Sequence, residues 1–494
     1  MQGSRARQLP LPRESSAGTA RWALACLCLG AGLLQGCTVG PRYEKPVPTV
    51  VPPAYKEAGQ WKSAQPQDTA LKGNWWEVFN DSQLNTLEEQ LGKANQTLRA
   101  AQDNYSQARA AVRIARADQY PQATAGATAT RQRQSSNRAL RGATSPSDFS
   151  DFVLSSEVSY EADMWGRVRR TVEAARSQAQ ASAADFESVL LSLQAELALD
   201  YFTLRGLDAQ KDLLDTTVDA FEKALELTQN RFQGGLASRE DVEQADTQLE
   251  QTRAQDIDVT VTRNEFEHAV AALAGQPAST FSLPAAPLTA PPPAIPPGLP
   301  SELLERRPDI SGAERLVKAA NAQIGLARIA YFPLTMLNVG GGFESGQFTS
   351  WLAGPSALWS VGAASLETVF DAGRRRAISD QAKAAYDQTV ANYQQTVLTA
   401  FQEVEDSLSD LRVLEEESET QDAAVAASQR SLDQANNRYK GGLDNYLTVI
   451  TAQSVALSNQ RTAVSLLTRR MTSSVQLIKA LGGGWDVSKL PSDD

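Results

Sequence analysis

Arg231-Phe232-Gln233-Gly234-Gly235-Leu236 recurs as Arg438-Tyr439-Lys440-Gly441-Gly442-Leu443, 207 residues further along the chain. Leu204-Arg205 matches Leu411-Arg412 at the same offset. Upstream, Ala115-Arg116 followed by Tyr120-Pro121 answers Ala327-Arg328 followed by Phe332-Pro333, at an offset of 212. Three elements repeated in one order mark an internal duplication. Each Gly-Gly pair reads as the end of a helix, because glycine accepts the left-handed cap conformation without steric cost. Leu236 and Leu443 are then expected to close over the last turn, with Ser238 and Asn445 as N-caps of returning helices.

Proline sets the length of those helices. None occurs between Pro146 and Pro277 or between Pro355 and Pro491, and both stretches are rich in helix formers. Pro277–Pro300, with nine prolines in 24 residues, separates them as a non-helical hinge. In the second copy Tyr386, Val390, Tyr393, Val397, Phe401, Val404, Leu408 and Leu411 step by threes and fours, a period of about 3.57. Leu190, Leu193, Leu197, Tyr201 and Leu204 follow the same scheme in the first. A continuous helix from Arg167 to Phe232 would be roughly 100 Å long at about 1.5 Å per residue.

Beside Tyr120-Pro121 and Phe332-Pro333 the period shortens to two. Phe152, Leu154, Ser156, Val158, Tyr160, Ala162 and Met164 alternate with Val153, Ser155, Glu157, Ser159, Glu161 and Asp163. Leu337, Val339, Gly341 and Phe343 alternate with Asn338, Gly340, Gly342 and Glu344, the glycines interrupting the strand. Gln122–Arg133 and Ala357–Phe370 alternate less cleanly and are read as strands partly from the repeat. About 9–11 tilted residues cross a bilayer, and strands in lipid must close into a barrel. Four strands cannot close, since barrels begin at about eight, so several copies would share one barrel. Trp165, Trp351, Trp359, Tyr120, Tyr160, Tyr331 and Phe332 are expected at strand ends, as an aromatic girdle. Two soluble hairpins are the other reading, and they leave an apolar face uncovered.

The 494 residues would allow about three ordinary domains. Only 7% are aromatic, and mean hydropathy is −0.35, which excludes a polytopic helical membrane protein. A net charge of −11 without a basic block excludes nucleic acid as a partner. One histidine, His268, and three cysteines, Cys26, Cys28 and Cys37, leave little material for His/Cys metal sites or Cys–His catalysis. Arg5, Arg7, Arg13 and Arg21 precede the apolar run Trp22–Leu34, too short to span a membrane and built like a secretory signal. A buried helix start is the alternative. Leu34-Gln35-Gly36-Cys37 resembles the bacterial lipobox, with Cys37 as the lipidated residue. Removal of residues 1–36 would bring the net charge to −14. Thr38 after the cysteine, by resemblance to the sorting rule, favours the outer membrane.

Leu33–Pro46 (LLQGCTVGPRYEKP), Asn74–Leu87 (NWWEVFNDSQLNTL), Glu305–Pro333, Phe370–Arg376 (FDAGRRR) and Arg438–Gln453 together resemble the TolC-like outer-membrane factor family, in its acylated efflux-channel branch (OprM-like and NodT-like). The resemblance implies a mixed, mostly α fold with internal duplication. It would be a homotrimer with a 12-stranded transmembrane β-barrel, four strands per chain, continued by a long periplasmic α-helical barrel. The implied organisation is a signal peptide at 1–36, a lipidated segment at 37–83, repeats at 84–276 and 301–482 around a linker at 277–300, and a tail at 483–494. The implied function is the outer-membrane channel of a tripartite efflux system, lipid-anchored and spanning into the periplasm. A periplasmic adaptor and an inner-membrane pump are the implied partners, beside outer-membrane lipid. No enzymatic activity, cofactor or metal is implied.

The resemblance also places a gate. In such channels a motif like Tyr-Leu-Thr-x-x-Asp-Ala-Gln sets a bulky apolar residue, and an acid one turn later, towards the pore. Here Tyr446-Leu447-Thr448-Val449-Ile450-Thr451-Ala452-Gln453 has Thr451 in place of the acid. Leu447 and Thr451 share a helix face, and Asp444 is the acid left near the mouth. Interhelical packing is the other reading of Leu447. Gly234, Gly235, Gly441 and Gly442 mark the adaptor-docking tips. An adaptor or a structural coiled-coil lipoprotein are the alternative functions, although an adaptor would carry one hairpin and a lipoyl-like domain.

Overall fold

The computed structural model describes residues 38–48, 51–58, 73–135, 147–295 and 302–491. Cys37 and the expected signal segment lie outside them. In chain order come α1 (Ser82–Ala94), α2 (Gln96–Ala117), β1 (Gln122–Arg133), β2 (Asp148–Glu161), α3 (Arg167–Gln233) and α4 (Arg239–Leu273). The one-turn α5 (Leu303–Arg306) then leads to α6 (Pro308–Ile329), β3 (Leu334–Ser345), β4 (Ala357–Leu366), α7 (Arg374–Lys440) and α8 (Tyr446–Ala480). Both α3 and α7 have 67 residues, and both α4 and α8 have 35. Among the described residues no helix is long and apolar enough to cross a membrane.

The chain forms two compact units, the first from Met1–Glu44, Ala111–Ala175 and Ala319–Tyr386. It holds one antiparallel sheet in the order β1-β2-β3-β4. Its register joins the faces of all four strands. Ala123 lies opposite Val158, Val158 opposite Val339, and Val339 opposite Val361. Ala127, Leu154, Phe343 and Ala357 make another such row, two places along the same face. That face is therefore mainly apolar, with Ser156 opposite Ala125 and Gly341 between the two rows, while Thr124, Glu157, Gly340 and Ser360 share the other. Small alanines had hidden the alternation in β1.

Four expectations change here. The glycines at 340–342 do not interrupt β3, because each pairs on both sides. A Cβ on Gly342 would run into the Leu154 carbonyl, so glycine permits the close approach there. β4 stops at Leu366, not Phe370: Leu366 pairs with Leu334, and the preceding Pro333 has no N–H to continue the ladder. β2 likewise ends at Glu161, before Met164. Of the expected girdle, Trp165 stacks on Phe332 at 4.7 Å, and Trp351 joins Phe152 and Phe348 at the other end. Trp359 instead stands within β4, opposite Gly341.

Acids start both long helices. Asp163 accepts from the Val168 and Arg169 amides, and Asp371 from those of Gly373 and Arg375. The neighbouring arginines are engaged locally: Arg169 with Asp163, Arg167 with Glu161 and Arg375 with Asp371. They cap and pack rather than stand free.

The second unit comprises Lys45–Ala110, Arg176–Lys318 and Asp387–Asp494. Its main core joins Trp75 with Leu87, Tyr201, Leu204, Leu408 and Ile478, all nearly inaccessible. The α7 stripe is buried at Tyr393, Val397, Val404 and Leu408. Asp81 caps α1 through the Gln83 and Leu84 amides and accepts from the Tyr201 hydroxyl at 2.6 Å. Part of the proline-rich segment is strapped down rather than hinged. Buried Asp208 takes Arg205 at 2.9 Å and Arg263 at 2.7 Å, and also accepts from the Ala286 amide. The two arginines donate to the Pro284 and Leu283 carbonyls. His268 is exposed on α4.

Candidate functional site

The two helix-ending turns are nearly superposable in their hydrogen bonding. Gly235 N–H donates to the Phe232 carbonyl and Leu236 N–H to that of Arg231. Gly442 and Leu443 do the same to Tyr439 and Arg438. This is the paired 5→2 and 6→1 pattern of a Schellman cap. Gly235 and Gly442 have φ of 73° and 72°, which explains glycine at each second position. Leu236 and Leu443 do not close over the turn as expected, since they are 72% and 73% exposed. Backbone hydrogen bonds complete the cap without them. Ser238 forms a capping box with Asp241, and the Asn445 side chain accepts from the Thr448 amide.

The arginines of the two copies have different partners. Arg438 meets Asp444 through Nε–Oδ2 at 2.6 Å and Nη2–Oδ1 at 3.1 Å. Hydrogen bonding from Arg438 holds the Asp444 carboxyl below its ordinary range. Asp444, the acid expected near the mouth, is therefore already paired. The first copy carries Ala237 at the equivalent position. Arg231 reaches across instead, its guanidinium 4.7 Å from the Tyr439 ring centre and its Nη1 donating to the Lys440 carbonyl at 3.1 Å. Tyr439 packs on Tyr446 at 5.1 Å, and burial pushes the Tyr446 phenol up to about 12. The repeated arginine was visible in the sequence. Its bridge between turns was not, because residues 231 and 439 belong to different repeats.

Leu447 and Thr451 come together. Both line a groove of about 490 Å³ with Ser428, Ser431, Ala435 and Val455. Leu447 is 53% exposed, and the Thr451 hydroxyl donates back to the Leu447 carbonyl at 2.9 Å. Val449, on the opposite side of α8, is 1% exposed and packs with Ala245, Ala435 and Tyr439. Helix packing thus claims Val449 and leaves Leu447 outward.

The outer membrane efflux protein family model matches residues 87–276 and 299–483. The chain belongs to that family. Toluene efflux pump outer membrane protein TtgC of Pseudomonas putida is 34% identical over 468 residues, 94% of this chain and 96% of that one. Outer membrane protein OprJ of Pseudomonas aeruginosa is 33% identical over 473 residues, 94% and 95% of the two chains. The CmeC outer membrane channel of Campylobacter jejuni superposes with a TM-score of 0.85 at 25% identity, covering 92% of this chain and 96% of that one. The open state of the MtrE outer membrane channel of Neisseria gonorrhoeae gives 0.79 at 27%, covering 91% and 99%. This efflux protein is a TolC-like channel component of the outer membrane. The adaptor and structural coiled-coil readings fall away.

Proposed function

We propose that three copies of this efflux protein close their sheets into one twelve-stranded barrel, anchored also by lipid on Cys37, with the helices continuing as a periplasmic helical barrel. The supporting observation is the sheet, four strands with one aligned, mainly apolar face and with β1 and β4 lacking an outer neighbour among the described residues. In hydrocarbon each unpaired backbone group costs several kcal/mol, so such edges demand closure. The assembly passes small molecules from an inner-membrane pump through a periplasmic adaptor, which meets the turns at Gly234-Gly235 and Gly441-Gly442. Relatives named for toluene and antibiotic efflux suggest apolar and amphipathic cargo. Leu447 from three copies forms an apolar constriction that resists hydration, and Thr451 leaves it uncharged.

Native mass spectrometry of the purified full chain should give a trimer, and planar bilayers should show conductance. A stable monomer with intact strands would overturn the shared barrel. Leu447→Gly should raise single-channel conductance, and Thr451→Asp should raise cation selectivity. If both variants conduct like the parent, the constriction lies elsewhere.

A further inference from the structure

A pocket of about 460 Å³ opens beside one end of the sheet, walled by Met164, Trp165, Leu326, Phe332, Leu334 and Leu366. That volume falls within the roughly 300–1,000 Å³ of ligand sites. Its walls are largely apolar. Trp165 stacks on Phe332 with 29° between the rings, and its indole N–H is satisfied by the Pro333 carbonyl at 3.0 Å. The one cation of the lining, Arg167, is held by Glu161. Of the three acids that also line it, Glu161 holds Arg167, Asp163 holds Arg169, and Glu367 is exposed to solvent.

The chain just after Cys37 is fastened beside that pocket. Val39 N–H donates to the Trp165 carbonyl at 3.2 Å. Arg170 donates to the Val39 carbonyl at 3.4 Å and, with Asn321, to that of Pro41 at 3.0 and 3.4 Å. Gly40, at φ 114°, lies so close to α6 that a Cβ would stand 2.6 Å from the Gly325 Cα. Thr38 presses on Gly166, where a Cβ would meet its Cγ2 at 3.0 Å. Consecutive Cα atoms lie about 3.8 Å apart. Thr38, the residue joined to Cys37 by one peptide bond, therefore packs beside Trp165.

We propose that this pocket binds an acyl chain of the lipid on Cys37. The inference rests on the lipidation reading above. A lipid seated against Trp165 and Phe332 is a structural ligand of its own chain, and it fixes the N-terminal segment at the junction of sheet and helices.

Cells producing the full-length protein are fed a diazirine-bearing palmitate, irradiated, and the purified protein digested for mass spectrometry. Cross-links should join the Cys37 peptide to peptides containing 161–171 or 326–335. Ala330→Trp fills the pocket from an exposed lining position and should cut that yield at least five-fold, diverting it to phospholipid, with the mass of lipidated Cys37 unchanged. Lipidated Cys37 cross-linked only to phospholipid in the parent overturns the pocket. So does an Ala330→Trp yield equal to the parent's, or capture there of a photoreactive phospholipid instead of the Cys37 chain. An unmodified Cys37 overturns the lipidation reading itself. If Ala330→Trp does not accumulate, the parent's cross-link map decides.

Discussion

Arg231 and Arg438 occupy equivalent places in two turns of the same geometry, yet one meets an aromatic ring and the other a carboxylate. Among the differences is Ala237 against Asp444, the residue that Arg438 meets, and it gives a reciprocal expectation. Ala237→Asp should draw Arg231 to its own turn, as Arg438 is drawn, and free Tyr439 and the Lys440 carbonyl. Hydrogen–deuterium exchange in 436–446 should then rise, and unchanged exchange would show that the bridge contributes nothing there. Glu88 poses a different problem. It is 1% exposed among Leu84, Leu87 and Leu91, and burial pushes its carboxyl well above the ordinary range. A carboxyl raised in the folded state binds its proton more tightly than in the unfolded chain. Stability is therefore greatest below the unfolded value, about 4.3, and declines as pH rises towards the folded one. Glu88→Gln should remove that decline and raise the thermal midpoint at pH 7.5 more than at pH 4. Equal shifts at both would argue against a protonated Glu88.

At the scale of elements, the contact of α3 with α8 turns on a missing side chain. A Cβ on Gly206 would lie 2.7 Å from Thr468 Cγ2 and 3.0 Å from its Cβ. The Thr468 hydroxyl donates to the Val464 carbonyl at 3.0 Å, which together with its β-branch restrains the side chain. Glycine to alanine in a helix interior normally stabilises by up to about 1 kcal/mol. Overpacking costs about 1–3 kcal/mol, so packing should decide the sign. Gly206→Ala should lower stability, and Gly206→Ala with Thr468→Ala should recover it, as measured by denaturant unfolding in a double-mutant cycle. A stabilised single variant would mean that the helices part at little cost.

For the whole molecule, the register of the sheet tells which residues should meet lipid. Val339 lies on the apolar face with Val158 and Val361, and Asn338 on the other with Ser159 and Gly362. In a closed barrel, Val339→Arg sets a cation in hydrocarbon, at about 2–4 kcal/mol near the midplane. Asn338→Arg sets one in the aqueous interior. The first should sharply reduce trimer in the outer membrane and the second should not, read by seminative electrophoresis of membrane fractions. Equal yields would mean that the apolar face does not face lipid.

Much of this architecture was legible beforehand because its signals are local and periodic. Proline-free stretches, the stripe from Tyr386 to Leu411 and the Gly-Gly caps act within a few residues of chain, so helix, stripe and turn could be read directly. Strand alternation in β2 was equally plain, and the repeat carried it over to β1 and β4. Register was another matter. Where β4 ends depends on the partner at Leu334 and on Pro333 before it, residues more than thirty positions away. Leu236 and Leu443 stayed exposed because backbone hydrogen bonds completed their caps without them. Part of the proline-rich stretch, read as a hinge, is held at Leu283, Pro284 and Ala286 by Arg263, Arg205 and Asp208, whose meeting depends on how α3 and α4 pack. The candidate entrance divides in the same way: spacing alone put Leu447 and Thr451 on one helix face. The pair of Arg438 with Asp444 is likewise local, six residues apart within one turn, whereas only tertiary packing bridged Arg231 to Tyr439 and turned Val449, rather than Leu447, into the core. Periodicity is encoded by neighbours along the chain, whereas contacts between repeats and register are set by neighbours in space.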